Sequence, residues 1–548
     1  MKTAMILSGG GFQGLPVMRA LKAMGWRVLI ADSIADSINR FEAEVFVQVP
    51  PVREKLAFRA AIVHLVEQYA VQAVFPTTMY DLPALVELRP ELEALGVRAL
   101  ASSPRLVELL SDKRETLLAA AKAGLPVLDL VDPTSHDFSY PLIGKPIRGW
   151  GGIGIARIAN LAQWKSSTGH ASSEPRIWQR LLGAFTEWSV DFALREDAQC
   201  SPLSVRRRLR TSGGFAVISE IVENPEVEFI AAKTVRWLVQ EGGCGIFNAQ
   251  FLQEPNGALW LSDLNPRPGT SSGAALAAGV NLAKFLLERA HSPQRVRAGI
   301  AVRTLSDRYF PKLTANIQGV VIDLDETIIC QKSWMRDKLI IVADMLSGKV
   351  DANKVRCWRQ TALRVIDEGP WDRLIDVSLA RSGVTEIDRN ELISMWRQAN
   401  PVEITLHPDA RALIYTLQER GIPFAMLSDN PAASQRQKIA RLPSDMNFSA
   451  IVLTDEIVAP KPDKKGFIKA SEELGIPVEN MVMIGDNPWL DALGAVQAGY
   501  AHAFVVRRPG GMLNPANALF NSEYPQYADC IEWVDSLFGL DYLFDSQH

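Results

Sequence analysis

Two aspartates, Asp323 and Asp325, stand one residue apart directly after the apolar run Gly319-Val-Val-Ile322. Acids at alternate positions just past a buried strand project together, which suits one as a nucleophile and the other as a proton donor. Three further polar groups follow short apolar runs: Ser428-Asp-Asn430, Lys461 in Ala-Pro-Lys-Pro-Asp, and Asp486 with Asp491 in Gly485-Asp-Asn-Pro-Trp-Leu-Asp491. Ligands of open parallel sheets gather at the carboxyl edge of the strands, so these groups are expected to converge on one crevice.

A second constellation lies upstream. Lys113, in Ser-Asp-Lys-Arg-Glu-Thr, opens a helix, and Lys145, in Gly-Lys-Pro, ends a strand just before a glycine-rich stretch containing Gly151 and Gly152. Two cations aimed at one place need a polyanion, and glycine-loop amides can wrap phosphates. The segment Trp178–Glu187, which includes Gln179, followed by Val190-Asp191, can offer backbone to an adenine edge and a carboxylate to a ribose. Gln250 comes later, then Asp263 and Asn265, alternate residues of one strand that can present oxygens to the same magnesium ions. The opening Gly9-Gly-Gly-Phe-Gln-Gly14 lacks the full dinucleotide spacing and reads as a tight strand-to-helix turn.

The elements that must position these groups restart twice. Strand, glycine turn, helix and strand over the first hundred or so residues predict a doubly wound parallel layer, residues 1–105. A helix over Leu106–Ala123 and an alternating, antiparallel-like pattern from Trp178 to Arg267 define a second region, 106–292, with a lid at about 125–177 and a helix over Gly273–Arg289. Residues 293–317 read as linker, and 318–548 as a new α/β domain with a helical insert at about 331–405. The fold class is therefore α/β and α+β, multidomain. With 548 residues, 47% hydrophobic and 22% charged, the chain has ample material for several cores. The net charge of -4 argues against a nucleic-acid partner. No apolar run is long enough to span a membrane and no leader pattern is evident, so a cytoplasmic location is expected. The five scattered cysteines fit free thiols.

Two resemblances follow from these residues. Ser-Asp-Lys113, Gly-Lys145-Pro, the glycine-rich lid, Phe-Asn-Ala-Gln250-Phe and Asp263-Leu-Asn265-Pro-Arg267, followed by Gly-Thr-Ser-Ser-Gly, resemble the ATP-grasp enzymes, in particular the carbamoyl phosphate synthetase large chain. That resemblance implies an ATP-grasp fold in which Lys113 and Lys145 hold phosphates, Gln250, Asp263 and Asn265 bind metal, and Arg267 stabilises the transferring group. Arg206 and Arg208 would grip the triphosphate or the acyl substrate. The family usually has Glu at the position of Asp263. From about 318 to 540 the chain resembles the haloacid dehalogenase superfamily, with its four motifs at Asp323/Asp325, Ser428, Lys461 and Asp486/Asp491. By that likeness the fold is Rossmann-like with a helical cap. Asp323 is the nucleophile, Asp325 the acid and base, and Ser428 and Lys461 hold the phosphoryl oxygens. Asp323, the backbone carbonyl of Asp325, Asp486 and Asp491 would form the metal site.

The implied cofactors are ATP and Mg2+ or Mn2+. The expected function is bifunctional: ATP-dependent carboxylate–amine ligation through an acyl phosphate, joined to hydrolysis of a phosphate monoester. A second reading makes the amino-terminal half a nucleotide-binding regulatory module of an active phosphatase. The expected partners are a small carboxylate, an amine and a phosphorylated metabolite, with no nucleic acid and no membrane; a homo-oligomer is compatible with the sequence.

Overall fold

A computed structural model describes residues 2–132, 139–149, 154–168, 175–289, 294–304, 316–508, 510–513 and 517–544. The chain divides into two compact units, 1–307 and 308–548.

The first unit opens with a five-stranded parallel sheet, β1 (Thr3–Leu7), β2 (Arg27–Asp32), β3 (Val45–Gln48), β4 (Val71–Pro76) and β5 (Arg98–Ala99), in the order β3-β2-β1-β4-β5. β1 is buried along its whole length, as a strand covered by helices on both faces must be. The Gly9–Gly14 segment is the tight turn expected. Gly10 N–H donates to Asp32 at 2.8 Å, and Asn39 Nδ2 donates to the carbonyls of Gly9 and Gly11, both at 2.7 Å. A small antiparallel sheet follows, β6 (Leu142–Pro146), β7 (Ala156–Ile158) and β8 (Arg176–Arg180), with β6 central. The larger antiparallel sheet contains β9 (Thr186–Leu194), β10 (Ser204–Ser212), β11 (Phe215–Ile221), β12 (Gly245–Gln253), β13 (Leu259–Asn265) and β14 (Gly299–Val302), ordered β13-β12-β9-β10-β11-β14.

Several boundaries differ from the sequence reading, each for a local reason. The helix expected over Leu106–Ala123 is two helices, Pro104–Ser111 and Lys113–Lys122. Asp112 leaves the helical conformation, and its side chain accepts the N–H groups of Arg114 and Glu115. The antiparallel stretch contains a 16-residue helix, Pro225–Gln240, started by the Asn224 side-chain cap and a first-turn proline. The helix expected over Gly273–Arg289 breaks at Gly279, whose φ is +95°. Part of the expected linker is structural: β14 pairs antiparallel with β11. Of the expected lid, residues 133–138, 150–153 and 169–174 lie outside the described residues, and with them Gly151 and Gly152.

The second unit is built on a six-stranded parallel sheet, β15 (Gly319–Ile322), β16 (Phe424–Ser428), β17 (Ala450–Leu453), β18 (Met481–Gly485), β19 (His502–Val506) and β20 (Ile531–Val534), ordered β17-β16-β15-β18-β19-β20. β15, β16, β18 and β19 are buried throughout. The insert after β15 is helical, with helices Gln331–Met345, Ala352–Glu368, Leu374–Ser382 and Arg389–Gln398 around their own core of Leu339, Val342, Trp358 and Leu392. Trp334 and Trp358 are buried, as expected of core tryptophans. The mixed α/β class, with a parallel and two antiparallel sheets first and a parallel sheet with a helical insert second, agrees with the sequence reading. Among the described residues no helix is long and apolar enough to cross a membrane. All five cysteines are free.

Candidate active sites

In the second unit the parallel pairing of β16, β15 and β18 brings three strand ends side by side. Asp323 leaves β15, Ser428 ends β16, and Asp486 follows β18. Lys461 closes the group: its Nζ lies 2.7 Å from Asp323 Oδ1 and 2.6 Å from Asp491 Oδ1, with both ends of each pair nearly inaccessible. Carboxylate oxygens of Asp323, Asp486 and Asp491 lie within 4.8 Å of one another. Asp491 sits there because Gly485 has no side chain; a Cβ at that position would be 2.3 Å from Asp491 Oδ2.

The electrostatics follow from crowding acids out of water. Burial pushes the Asp323 carboxyl well above the usual range; Lys461 pulls it back, and Asp491 and Asp325 push it further up. Asp486 is raised by burial and then by the charges of Asp323 and Asp491. Burial would pull Lys461 down, but the carboxylates of Asp323, Asp491 and Asp429 more than offset it and hold the ammonium firmly protonated. Two buried carboxylates and a half-buried one that repel one another suit a hard divalent cation such as Mg2+ or Mn2+.

Asp325 faces a different set of partners. Its Oδ1 accepts from Lys438 Nζ at 2.6 Å, and its Oδ2 from Gln435 Nε2 at 2.8 Å and Asn430 Nδ2 at 3.0 Å. The side chain of Asp325 therefore stands apart from the acid cluster, leaving its backbone carbonyl as the group the resemblance assigns to the metal. Ser428 Oγ accepts from Gln435 Nε2 at 3.0 Å. Asp429 binds Thr454 Oγ1 at 2.6 Å and the Lys461 N–H at 3.1 Å, fixing the loop that carries the lysine. Lys438 and Gln435 were missed in the sequence. They lie on the helix Ala432–Ile439, where one lysine and one glutamine among many carry no spacing signal.

In the first unit, antiparallel pairing of β12 with β13 sets Gln250 opposite Asp263 and Asn248 opposite Asn265. Asn265 Nδ2 donates to Asp263 Oδ2 at 2.9 Å, and Gln250 Nε2 to Asn248 Oδ1 at 3.2 Å. Lys145 Nζ lies 3.4 Å from Ser262 Oγ. Burial lowers the Lys145 ammonium; Asp263 and Glu187 raise it, and Lys113 lowers it, so these four charges share one neighbourhood. Burial also lowers Arg267, with Asp263 and Asp81 opposing. Lys113 Nζ bonds the Gly149 carbonyl. A cavity of about 260 Å3 is lined by Tyr80, Lys113, Arg148, Gly149, Asp263 and Asn265 among others. A lysine, an arginine and oxygen donors around such a space suit a nucleotide polyphosphate with a divalent cation.

Other candidates are partly committed to the protein. Glu187 is ion-paired with Arg208, whose Nη2 also donates to the Gly214 carbonyl at 2.8 Å. Gln179 donates its side-chain amide to the Leu128 carbonyl at 2.9 Å, so only its backbone is left for an adenine edge. Arg206 Nε donates to Asp191 Oδ2 at 2.8 Å, while its buried Nη1 has no partner. Asp191, which with Glu187 was a carboxylate on offer to a ribose, is fully buried and instead binds Arg206, Asn248 Nδ2 at 2.7 Å and Ser272 Oγ at 2.6 Å. Asp81 was not foreseen. It is buried, accepts from Ser8 Oγ at 2.6 Å, and is held above the usual carboxyl range by burial.

Residues 317–499 match the family model for haloacid dehalogenase-like hydrolases. Among curated relatives, a phosphoserine phosphatase of Thermus thermophilus is 32% identical over 102 residues, 19% of this chain and 41% of that protein. The N-acylneuraminate-9-phosphatase of Rattus norvegicus is 23% identical over 229 residues, 39% of this chain and 90% of that protein. The chain thus spans less than half of the first relative and nearly all of the second. Among solved structures, the biotin carboxylase domain of the Hydrogenobacter thermophilus 2-oxoglutarate carboxylase, in complex with MgADP and bicarbonate, is similar, with a TM-score of 0.45 and 16% identity, covering 54% of this chain and 73% of that one. Within this chain, then, the likeness to haloacid dehalogenase-like hydrolases covers residues 317–499, the stretch that carries Asp323, Ser428, Lys461, Asp486 and Asp491.

Proposed function

We propose that the chain is a bifunctional enzyme, an ATP-dependent carboxylate–amine ligase joined to a phosphate monoester hydrolase that acts on a related small metabolite. The observation that carries the hydrolase is the buried Asp323–Lys461–Asp491 array with Asp486 beside it. Asp323 attacks phosphorus, the ester oxygen departs with a proton from Asp325, and Asp325 then takes a proton from the water that cleaves the aspartyl phosphate. Ser428 and Lys461 hold the phosphoryl oxygens. A divalent cation on Asp323, the Asp325 carbonyl, Asp486 and Asp491 would neutralise phosphoryl charge. The relatives are named for phosphoserine and for N-acylneuraminate 9-phosphate, and a small phosphorylated metabolite is the class proposed here.

For the ligase, Lys113 and Lys145 bind phosphates, Gln250, Asp263 and Asn265 hold the accompanying cation, and Arg267 stabilises the phosphoryl group passing from ATP to a carboxylate. The acyl phosphate is then captured by an amine, releasing phosphate. Arg206 and Arg208 would grip the acyl substrate or triphosphate. One observation favours a second reading, a regulatory nucleotide-binding module: the metal face of β12 and β13 carries a single carboxylate, Asp263, already engaged by Asn265. ATP consumption and phosphate-ester hydrolysis, followed separately across candidate carboxylates, amines and phosphate esters, test both. Asp323→Asn should abolish ester hydrolysis, and Lys145→Ala should abolish ADP formation. Binding of ATP without turnover in any mixture would favour the regulatory module.

A further inference from the structure

The helical insert of the second unit leaves the sheet just after Asp325 and returns just before the helix Pro408–Glu419. Its two legs are paired: Cys330 N–H donates to the Thr405 carbonyl and His407 N–H to the Ile328 carbonyl, both at 2.9 Å. At the root of the first leg the chain turns sharply. Glu326, 3% exposed, has φ +58°, in the left-handed region that a residue with a side chain occupies only where its surroundings hold it. The carbonyls of Glu326 and Thr327 lie in the interior there, and a buried backbone acceptor needs a donor.

Arg508, two residues beyond β19, supplies that donor. Its Nε donates to the Glu326 carbonyl at 3.2 Å and its Nη2 to the Thr327 carbonyl at 2.8 Å. Its Nη1 reaches both oxygens of Asp409, at 2.8 and 2.7 Å, and Asp409 also accepts the Leu537 N–H at 2.7 Å. Both side chains of the pair are buried, and Asp409 stands in the first turn of the helix that follows the return leg. One guanidinium, with all three nitrogens engaged, therefore joins the roots of both legs directly beside Asp325. A buried ion pair is a weak source of net stability, because desolvation offsets much of its attraction. What this one fixes is geometry: a planar fork, its charge matched by Asp409, holds two consecutive carbonyls in place.

We propose that Arg508, oriented by Asp409, is a positioning residue of the hydrolase site: it fixes the backbone turn that follows Asp325, and so the aim of the Asp325 carboxyl at the bridging oxygen of the ester. The assignment rests on the hydrolase reading above. As the bond from phosphorus to that oxygen breaks and the bond to Asp323 forms, the Asp325 proton passes to the departing oxygen. Without Arg508 the turn loses its donor and the proton is delivered less well, while Asp323 keeps its own contacts with Lys461.

A leaving oxygen of low basicity departs without a proton, so p-nitrophenyl phosphate depends little on Asp325 and phenyl phosphate depends on it strongly. The test measures kcat/KM of the full chain for both esters. Arg508→Met should lower the value for phenyl phosphate by about tenfold to a hundredfold and that for p-nitrophenyl phosphate by no more than about threefold. Arg508→Lys, which restores the charge but not the fork, should give a ratio between that of the wild type and that of Arg508→Met. Because the readout is a ratio within one preparation, a fraction of unfolded protein lowers both values alike and does not imitate the effect. An equal loss on both esters, or no loss on either, overturns the assignment, and Arg508→Lys decides alone should Arg508→Met not fold. If the wild type hydrolyses neither ester in an Asp323-dependent way, the hydrolase reading falls and the assignment with it.

Discussion

Lys461 is the residue on which the hydrolase cluster depends electrostatically. It is the direct partner of two buried acids, and its removal leaves them facing one another without compensation. Breaking such a buried pair typically costs about 3–5 kcal/mol, so Lys461→Met should lower the thermal midpoint of the protein and abolish ester hydrolysis. Added Mg2+ should recover part of the midpoint but not the activity, since the cation replaces charge and not the phosphoryl contact; calorimetry with and without Mg2+ reads both. Lys438 acts through another residue. It holds the Asp325 carboxylate together with Gln435, so Lys438→Met should lower kcat by about tenfold to a hundredfold with little change in KM, and Lys438→Arg should restore much of it. A change confined to KM would remove Lys438 from this positioning role. The two roles were unequally visible. Lys461 announces itself by its place after an apolar run and between prolines, whereas Lys438 is separated from Asp325 by 113 positions and meets it only when β15 and β16 pair.

At the level of elements, the first glycine turn depends on contacts closer than any side chain permits. A Cβ on Gly14 would lie 2.0 Å from the Gly9 carbonyl oxygen, a backbone atom that cannot swing aside. Gly14→Ala should therefore destabilise the protein by about 1–3 kcal/mol, read as a lower denaturant midpoint, although no site residue is touched. In the second unit, β19 carries the buried His502, whose Nε2 has no partner among the described residues and whose pKa burial lowers to about 4. Its unfolded value is the ordinary 6.5, so between these limits the unfolded chain binds the extra proton. Stability should then be full above pH 6.5 and fall as the pH drops toward 4, by up to about 3 kcal/mol from this group. His502→Leu should flatten that decline in thermal midpoints measured from pH 7 to 5; parallel curves for both proteins would refute the assignment.

At the scale of the whole molecule, each constellation is built entirely within one unit: Lys113 to Arg267 in the first, Asp323 to Asp491 in the second. Asp323→Asn should accordingly leave ATP consumption intact, and Lys145→Ala should leave phosphate-ester hydrolysis intact, in the same assay mixture. Loss of both activities in either variant would show that the two sites act as one. Chelation of divalent cations should abolish both, because the clustered acids of the second site would need a cation to receive a phosphoryl group and the polyphosphate proposed for the first would arrive with one. The sequence by itself marked out the residues of the two candidate sites and most of the sheet framework. Asp323, Ser428 and Asp486 lie at or just beyond short apolar strands, Lys461 is set between two prolines, and Lys113, Lys145, Asp263 and Asn265 sit in compact local words. Local spacing carries such information because strand and helix periodicities are local. What only the tertiary structure decided were the partners: that Asp191 is spent on Arg206, Asn248 and Ser272, that Lys438 steadies Asp325, and that Gly299–Val302 is a strand. These depend on which distant segments pack together and on how much water the packing leaves, and neither quantity is written in the spacing of residues along the chain.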